Sequence, residues 1–244
     1  MSASRWLKNN CVVRWLFQNV FITGDNVRLC VQAPVIGAML PVHAGVTLDA
    51  GCGSGEYTRA LLLPRADYVA AMDFNPESLK RLQSRLGAME ADRCALINGS
   101  LTRLPFADGS FDTALCTEVI EHIEDDALAV RELCRVLCPG GTLIVSVPVP
   151  PPAIEDPAHV RDGYTPEQMR LLLEQSGFTV TTHRTCMFGL SRRALRLMSW
   201  ASHRLHVPLP LMVLCWIERL LGSVAPGREL PFDVVVAAIK KPRA

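Results

Sequence analysis

Three glycines at alternate positions follow a carboxylate in the segment Leu48-Asp49-Ala50-Gly51-Cys52-Gly53-Ser54-Gly55. Glycines so spaced let a backbone approach a ligand closely, and at a strand-to-helix turn they offer amides at a helix N-terminus. A nicotinamide dinucleotide site would place a glycine at the sixth position counted from Gly51, where this chain has Glu56, and no Gly-Lys-Ser/Thr follows to make a P-loop. A carboxylate just ahead of the glycines, Asp49, suits a cationic ligand better than a pyrophosphate. A second cluster is Cys116-Thr117-Glu118-Val119-Ile120-Glu121-His122. On a helical turn, spacings of three and four put Glu118, Glu121 and His122 on one face, as hard oxygen and imidazole donors for a divalent ion. His122, and His159 in Ala158-His159-Val160-Arg161-Asp162-Gly163-Tyr164, carry imidazoles that titrate in the range useful for proton transfer.

The elements that must position these residues alternate between strand and helix. Short apolar or β-branched runs predict strands over 46–50, 68–73, 94–98, 113–116, 142–147, 178–185 and 232–239. Helical patterns lie between them over 57–63, 76–86 and 125–137, the last expected to stop at Pro139-Gly140-Gly141. Thr165-Pro166-Glu167-Gln168 combines an N-cap, a proline at the first helical position and a capping box, and Gly177 closes that helix. Strands separated by helices imply a parallel sheet with helices on both faces. Two helical stretches, over 5–22 and 26–40, precede the first strand. Residues 187–231 are too long for a hairpin and read as a helical insertion between the sixth and seventh strands, at the sheet's edge. In it, Arg192, Arg196, Ser199, His203 and His206 share a polar helical face, with Ala194, Leu197, Met198, Ala201 and Leu205 mainly opposite and Trp200 near the boundary. Such a helix beside an apolar segment can lie on a membrane surface, close a greasy pocket or form a dimer contact.

Composition bounds the partners. The 244 residues are 49% hydrophobic and carry 25 basic against 24 acidic side chains, for a net charge of +1. That excludes disorder and argues against a dominant nucleic-acid footprint. No apolar run reaches the roughly 20 residues that span a bilayer, and Arg14 interrupts the apolar stretch near the N-terminus, so no secretory signal is expected. Nine scattered cysteines without a CxxC pair read as reduced, buried structural thiols in a cytoplasmic protein, with peripheral contact at a membrane as a variant of that reading.

The motif Asp49-x-Gly51-x-Gly53-x-Gly55 resembles motif I of the class I S-adenosylmethionine-dependent methyltransferases. Further matches follow in the family's order: Asp73 ending the second strand, Gly99-Ser100-Leu101-x-x-Leu104-Pro105-Phe106, Phe111-Asp112 ahead of the 116–122 cluster, and Leu137-Cys138-Pro139-Gly140-Gly141. The resemblance covers about 45–185 and 232–240. It implies a single Rossmann-like α/β domain of seven strands, mostly parallel with the last antiparallel, elaborated by a 1–42 helical extension and the 187–231 insertion as a substrate lid. It also implies an S-adenosylmethionine site built from Asp49, Gly51, Cys52, Gly53, Gly55, Asp73, Phe74, Ser100, Leu101 and Cys116. Asp73 would accept two charge-assisted hydrogen bonds from the ribose diol. Ser100 stands where the family usually has Asp, which leaves a weaker, neutral acceptor for the adenine amino group.

The family's reaction is in-line attack on a sulfonium methyl, for which a hydroxyl or acidic-carbon nucleophile needs a base. His122 is the first candidate and His159 the second. Glu-x-x-Glu-His at Glu118, Glu121 and His122 also resembles a metal-binding motif of some O-methyltransferases, but a divalent metal is not expected here. The favoured acceptor is a small amphiphilic molecule methylated on oxygen rather than carbon. A non-catalytic S-adenosylmethionine-binding module and an RNA or protein methyltransferase are the alternatives, and the oligomeric state is open.

Overall fold

The computed structural model describes residues 24–152, 157–205, 212–221 and 231–242. The helix expected over 5–22 lies outside them. Seven strands form one sheet: β1 (Gly45–Ala50), β2 (Ala66–Asp73), β3 (Cys94–Asn98), β4 (Phe111–Thr117), β5 (Leu137–Pro148), β6 (Phe178–Cys186) and β7 (Asp233–Lys240), in the order β3-β2-β1-β4-β5-β7-β6. The pairs β1–β2, β1–β4, β2–β3 and β4–β5 are parallel, whereas β7 runs antiparallel to both β5 and β6. The Rossmann-like sheet read from the sequence is therefore the one present. The order reverses at β1–β4, the switch point outside whose carboxyl ends ligands bind in open α/β sheets.

Side chains alternate across the sheet as the period of two requires. Leu48, Ala50, Ala114, Cys116, Val234 and Val236 enter one core, with α4 (Asp126–Val136) and α5 (Pro166–Gln175) over it. Leu115, Ile144, Val235 and Ala237 enter the other, covered by α1 (Gly24–Met39), α6 (Gly189–Leu205) and α7 (Met212–Leu221). Two short helices, α2 (Pro76–Arg85) and α3 (Ala88–Ala91), connect β2 to β3.

Local chemistry sets the boundaries. At α5, Thr165 Oγ1 accepts the Gln168 N–H and Gln168 Oε1 accepts the Thr165 N–H, the expected capping box. Gly177 follows the helix in the left-handed region at φ +99°. At α4, Asp125 Oδ1 accepts the Leu128 N–H at 2.9 Å.

Four readings are corrected or refined. Pro139-Gly140-Gly141 does not end α4; the helix stops at Val136 and the three residues lie inside β5. There the register jumps from Phe111↔Leu137 to Thr113↔Thr142, and Gly140, at φ +79°, supplies the bulge. The helix after the glycine loop is a π turn over Thr58–Leu62, closed by Leu63 N–H on Thr58 O at 2.9 Å. The insertion follows the edge strand in sequence, but α7 packs on α1 and α6 on α7, so it completes a helical layer on one sheet face. Among the described side chains of α6, Arg193, Arg196, Leu197 and Trp200 face outward, so Leu197 is not on the buried side; Ala194 is.

Glu218 of α7 fastens that insertion. Its Oε1 accepts the Phe188 N–H and its Oε2 the Ser191 N–H, each at 2.7 Å, so a buried carboxylate satisfies amides at the α6 N-terminus. Glu218→Ala leaves those donors unmatched and is expected to cost about 1–3 kcal/mol, read from urea unfolding; Glu218→Gln, which keeps one acceptor, should lose less. An unchanged midpoint in the alanine variant would contradict the tie.

Candidate functional site

The glycine loop leaves β1 and turns back against the end of β2. Gly51 and Cys52 N–H both donate to Met72 O, at 2.8 and 2.9 Å, and Gly53 N–H donates to Asp73 Oδ2 at 2.8 Å. Asp73 Oδ1 accepts the Asn75 N–H at 2.8 Å. The amides expected to face a ligand are thus partly engaged inside the protein, and the loop is held in shape beforehand. Each Asp73 oxygen keeps a second lone pair, enough to accept from a vicinal diol. All three glycines have positive φ, for two different reasons. A Cβ at Gly51 would lie 2.3 Å from Val119 and one at Gly55 2.1 Å from Leu82, so these two permit packing. At Gly53 a Cβ would meet nothing within 4 Å, so that residue borders open space above the loop.

Asp49 is buried beneath the loop and accepts from Thr58 Oγ1 at 2.5 Å. Burial pushes its carboxyl up from 3.8 to about 7, against the lowering effect of the Thr58 hydrogen bond. Phe74 is 81% exposed beside Asp73, while Leu101 and Cys116 are buried. Ser100 Oγ lies 2.9 Å from Thr102 Oγ1. Burial raises the Cys52 and Cys116 thiols far above their ordinary value, so neither is a thiolate at neutral pH.

Beyond β4 the chain does not form the helical face that the sequence suggested. Glu118 takes a left-handed φ of 55°, and only Ile120–His122 form a short 3-10 turn. This separates the three expected donors. Glu118 turns toward α1, where its carboxylate accepts from Arg28 Nη2 at 2.8 Å, Gln32 Nε2 at 3.0 Å and Ser146 Oγ at 2.8 Å. Gln32 Nε2 also donates to Asp233 Oδ2 at 2.9 Å, and Tyr57 OH donates to Gln32 Oε1. Burial, then the neighbouring Glu118, holds the Asp233 carboxyl well above the ordinary carboxylate range. Sequence reasoning missed Arg28, Gln32, Tyr57, Ser146 and Asp233, because their partners lie up to 201 residues away and no local pattern reports them.

Glu121 and His122 instead join His159. Donor atoms of the three lie within 4.8 Å of one another, and the two imidazoles meet edge to face with centroids 4.5 Å apart. His122 Nδ1 lies 3.0 Å from Ala158 O. A carbonyl only accepts, so Nδ1 carries the proton and the lone pair of the neutral ring sits on Nε2. The loop bearing His159 is stitched to the turn bearing His122: Val160 and Arg161 N–H both donate to Glu121 O. The Arg161 guanidinium donates to the carbonyls of Ile120, Ile123 and Glu124 and pairs with Asp126. Arg161, also missed from sequence, is the clamp that brings the two histidines together.

A family described as a methyltransferase domain matches residues 48–145. An S-adenosylmethionine-dependent methyltransferase of Mycolicibacterium smegmatis is 32% identical over 198 residues, covering 78% of this chain and 74% of that protein. The chain belongs to the S-adenosylmethionine-dependent methyltransferases. A ubiquinone biosynthesis O-methyltransferase of Xanthomonas campestris is 33% identical over 119 residues, 48% of each chain. A 27-O-demethylrifamycin SV methyltransferase of Amycolatopsis mediterranei is 30% identical over 133 residues, 52% of this chain and 49% of that one. The chain therefore spans about half the length of these two relatives. Among solved structures, the [4+2]-cyclase SpnF superposes with a TM-score of 0.62 at 20% identity, covering 89% of this chain and 82% of its own. A Mesorhizobium loti methyltransferase gives 0.59 at 21%, covering 85% and 96%. At these identities the structures share the fold.

The raised carboxyl of Asp49 predicts a pH-dependent cofactor affinity. S-adenosylmethionine is cationic, and a neutral Asp49 attracts it less, so affinity should weaken as pH falls below about 7 and level off above it. The sign for folding is opposite. Unfolded, the group titrates near 3.8, so the ligand-free native state binds an extra proton between there and about 7, and its stability falls as pH rises through that window. Calorimetric titration across this range should show the affinity slope, and Asp49→Asn should remove it; a flat wild-type profile would contradict the assignment.

Proposed function

We propose that the protein methylates a hydroxyl of a small, amphiphilic acceptor, with His122 taking the proton. The observation that carries the reading is the fixed His122 ring: its Nδ1–H is held by Ala158 O, leaving Nε2 basic beside His159 at the carboxyl ends of β4 and β5. The O-methyltransferase relatives support oxygen as the attacking atom.

The residues present fit the cofactor. Space opens above Gly53, a cationic ligand would sit over Asp49, and the remaining Asp73 lone pairs suit a ribose diol. We assign the donor site to Asp49, Gly51, Cys52, Gly53 and Gly55 with Asp73 and Phe74, and the adenine edge to Ser100, Leu101 and Cys116. When bound, S-adenosylmethionine supplies an electrophilic methyl on sulfur. The protein's work is then to hold the loop rigid, exclude water beneath it through buried Asp49 and Cys116, and align the hydroxyl for in-line attack while His122 removes its proton. The helices of the 187–231 insertion, which cover the α1 face, act in this reading as part of the acceptor's enclosure, and the chain forms one domain.

Convergence of Glu121, His122 and His159 favours a second reading of the same cluster. Hard oxygen and imidazole donors suit a divalent transition ion, which would lower the pKa of an acceptor hydroxyl. Glu118 is not among its ligands, being engaged with Arg28 and Gln32. The two readings separate on chelation: turnover that survives EDTA leaves His122 as the base, and turnover that EDTA abolishes and a divalent salt restores assigns the metal.

Incubating the protein with methyl-labelled S-adenosylmethionine and a host-cell extract, then partitioning the products, tests the acceptor class. Label should enter the organic phase; protein-dependent label confined to water would overturn the amphiphilic acceptor. His122→Ala should lower the turnover number by about 10²- to 10⁴-fold at unchanged cofactor affinity, and a rate within a few-fold of wild type would remove His122 from the chemistry.

A further inference from the structure

One residue carries the chain from the sheet into the turn that bears His122. β4 ends at Thr117 and the 3-10 turn begins at Ile120, so only Glu118 and Val119 set the direction between them. Beyond that point the backbone is closed on itself. His122 N–H donates to Val119 O at 3.0 Å, Ile123 N–H donates to Ile120 O at 3.1 Å, and Ile120 is fully buried in the core. Val119 lies against the glycine loop, where a Cβ at Gly51 would come within 2.3 Å of it. The course of the whole turn therefore depends on the dihedrals of Glu118, and there the backbone takes φ 55°.

A left-handed backbone is unfavourable for a residue with a side chain, and Glu is not among the types that adopt it readily. The Glu118 side chain supplies what holds it there. Its carboxylate, 10% exposed, accepts from Arg28 Nη2 at 2.8 Å and Gln32 Nε2 at 3.0 Å on α1, and from Ser146 Oγ at 2.8 Å on β5. The Glu118 N–H donates to Ser146 O at 2.9 Å, so β5 grips the residue by backbone and side chain together. The anchor is itself anchored. Gln32 is fully buried, its Nε2 donating to Asp233 Oδ2 and its Oε1 accepting from Tyr57 OH. With its amide and its carboxylate both tied, Glu118 cannot relax its φ without breaking several buried hydrogen bonds. At the far end of the turn, the His122 ring depends on a single directional contact, Nδ1 to Ala158 O at 3.0 Å. A turn released at Glu118 would carry the ring off that carbonyl and leave either nitrogen free to hold the proton.

We infer that Glu118 is a positioning residue: its anchored carboxylate holds the left-handed turn that presents His122 with Nδ1 protonated and Nε2 basic. The inference rests on the reading of His122 as the base only for its effect on rate; the effect on the ring stands without it. Two-bond proton–nitrogen NMR of the full chain, in mildly alkaline buffer with EDTA, reads the ring directly, with the His122 signals identified by their loss in His122→Ala. Wild type should show one tautomer, protonated on Nδ1. Glu118→Gly, which adopts the left-handed conformation freely but has no anchor, should show a mixture of both tautomers. Glu118→Asn tolerates the same conformation and is shorter than the anchor requires, so it should give the same mixture and serves if the glycine variant does not fold. Glu118→Gln keeps an acceptor for Gln32 and Ser146 and should keep the single tautomer. A mixture already present in wild type overturns the inference, as does a folded glycine or asparagine variant that retains one tautomer. A glutamine variant that loses it equally also overturns it, since that traces the effect to charge beside the ring. Initial rates of labelled methyl transfer to a host-cell extract, at saturating S-adenosylmethionine, give the second readout. Glu118→Gly should lower the rate by up to about 10²-fold and have no further effect in the His122→Ala background. An equal loss in both backgrounds overturns action through His122. A His122→Ala variant that transfers at the wild-type rate removes the base reading instead, and the tautomer result then decides the positioning.

Discussion

One carboxylate fixes the geometry on which the rest depends. Asp73, at the last position of β2, accepts Gly53 N–H on one oxygen and Asn75 N–H on the other. It thereby ties the loop after β1 to the turn after β2, across the place where a ligand of this fold must lie. Met72 O, one residue earlier, accepts two more loop amides. A loop rich in glycine would otherwise carry a large conformational entropy into any binding step. Held from β2, it is already shaped, and Gly53 is left to border the open space. Asp49 beneath it is kept dry enough that its carboxyl is pushed up to about 7.

The second constraint is the turn after β4, where the left-handed conformation of Glu118 divides the polar residues between the two faces of the sheet. On the α1 face, Glu118, Gln32, Ser146 and Asp233 join four elements far apart in sequence, with Arg28 and Tyr57 at the margin. Gln32 donates to both carboxylates and accepts from a hydroxyl, so a fully buried side chain has its polar atoms matched. On the other face, Arg161 donates to the carbonyls of Ile120, Ile123 and Glu124 around the 3-10 turn and so holds the loop of His159 against His122. A non-glycine residue held at positive φ costs energy, and such outliers concentrate where geometry serves function. At Glu118 the outlier separates a network that fastens the fold from the cluster of Glu121, His122 and His159.

Much of this was legible in the sequence, and the reasons are physical. The sheet announces itself through apolar runs of strand length separated by amphipathic helices, and α5 through a capping box whose residues are adjacent in the chain. The glycine loop and Asp73 are legible because a strand-to-loop turn this tight needs glycine at Gly51 and Gly55, and a carboxylate at the next strand's end to hold Gly53. Where the reading failed, the deciding interaction was either long-range or conformational. Pro139-Gly140-Gly141 carries the letters of a helix stop, yet pairing with β4 draws it into a bulged strand. Glu118, Glu121 and His122 share a face only if the backbone stays helical, and one left-handed residue removes that premise. Leu197 looks inward on a helical wheel, but the core reaches α6 from the side of Ser191 and Ala194. Arg161 has no sequence signature because three of its partners are backbone carbonyls and its acid, Asp126, lies on another element.

His122, after β4, is proposed to take the proton of an oxygen nucleophile beside His159, after β5. The most direct test is carbon-13 NMR of the product formed from S-adenosylmethionine labelled in the transferred methyl group. A methoxy resonance whose formation depends on His122 is expected. A methyl resonance on carbon, nitrogen or sulfur, or a methoxy product made equally well by His122→Ala, would contradict it.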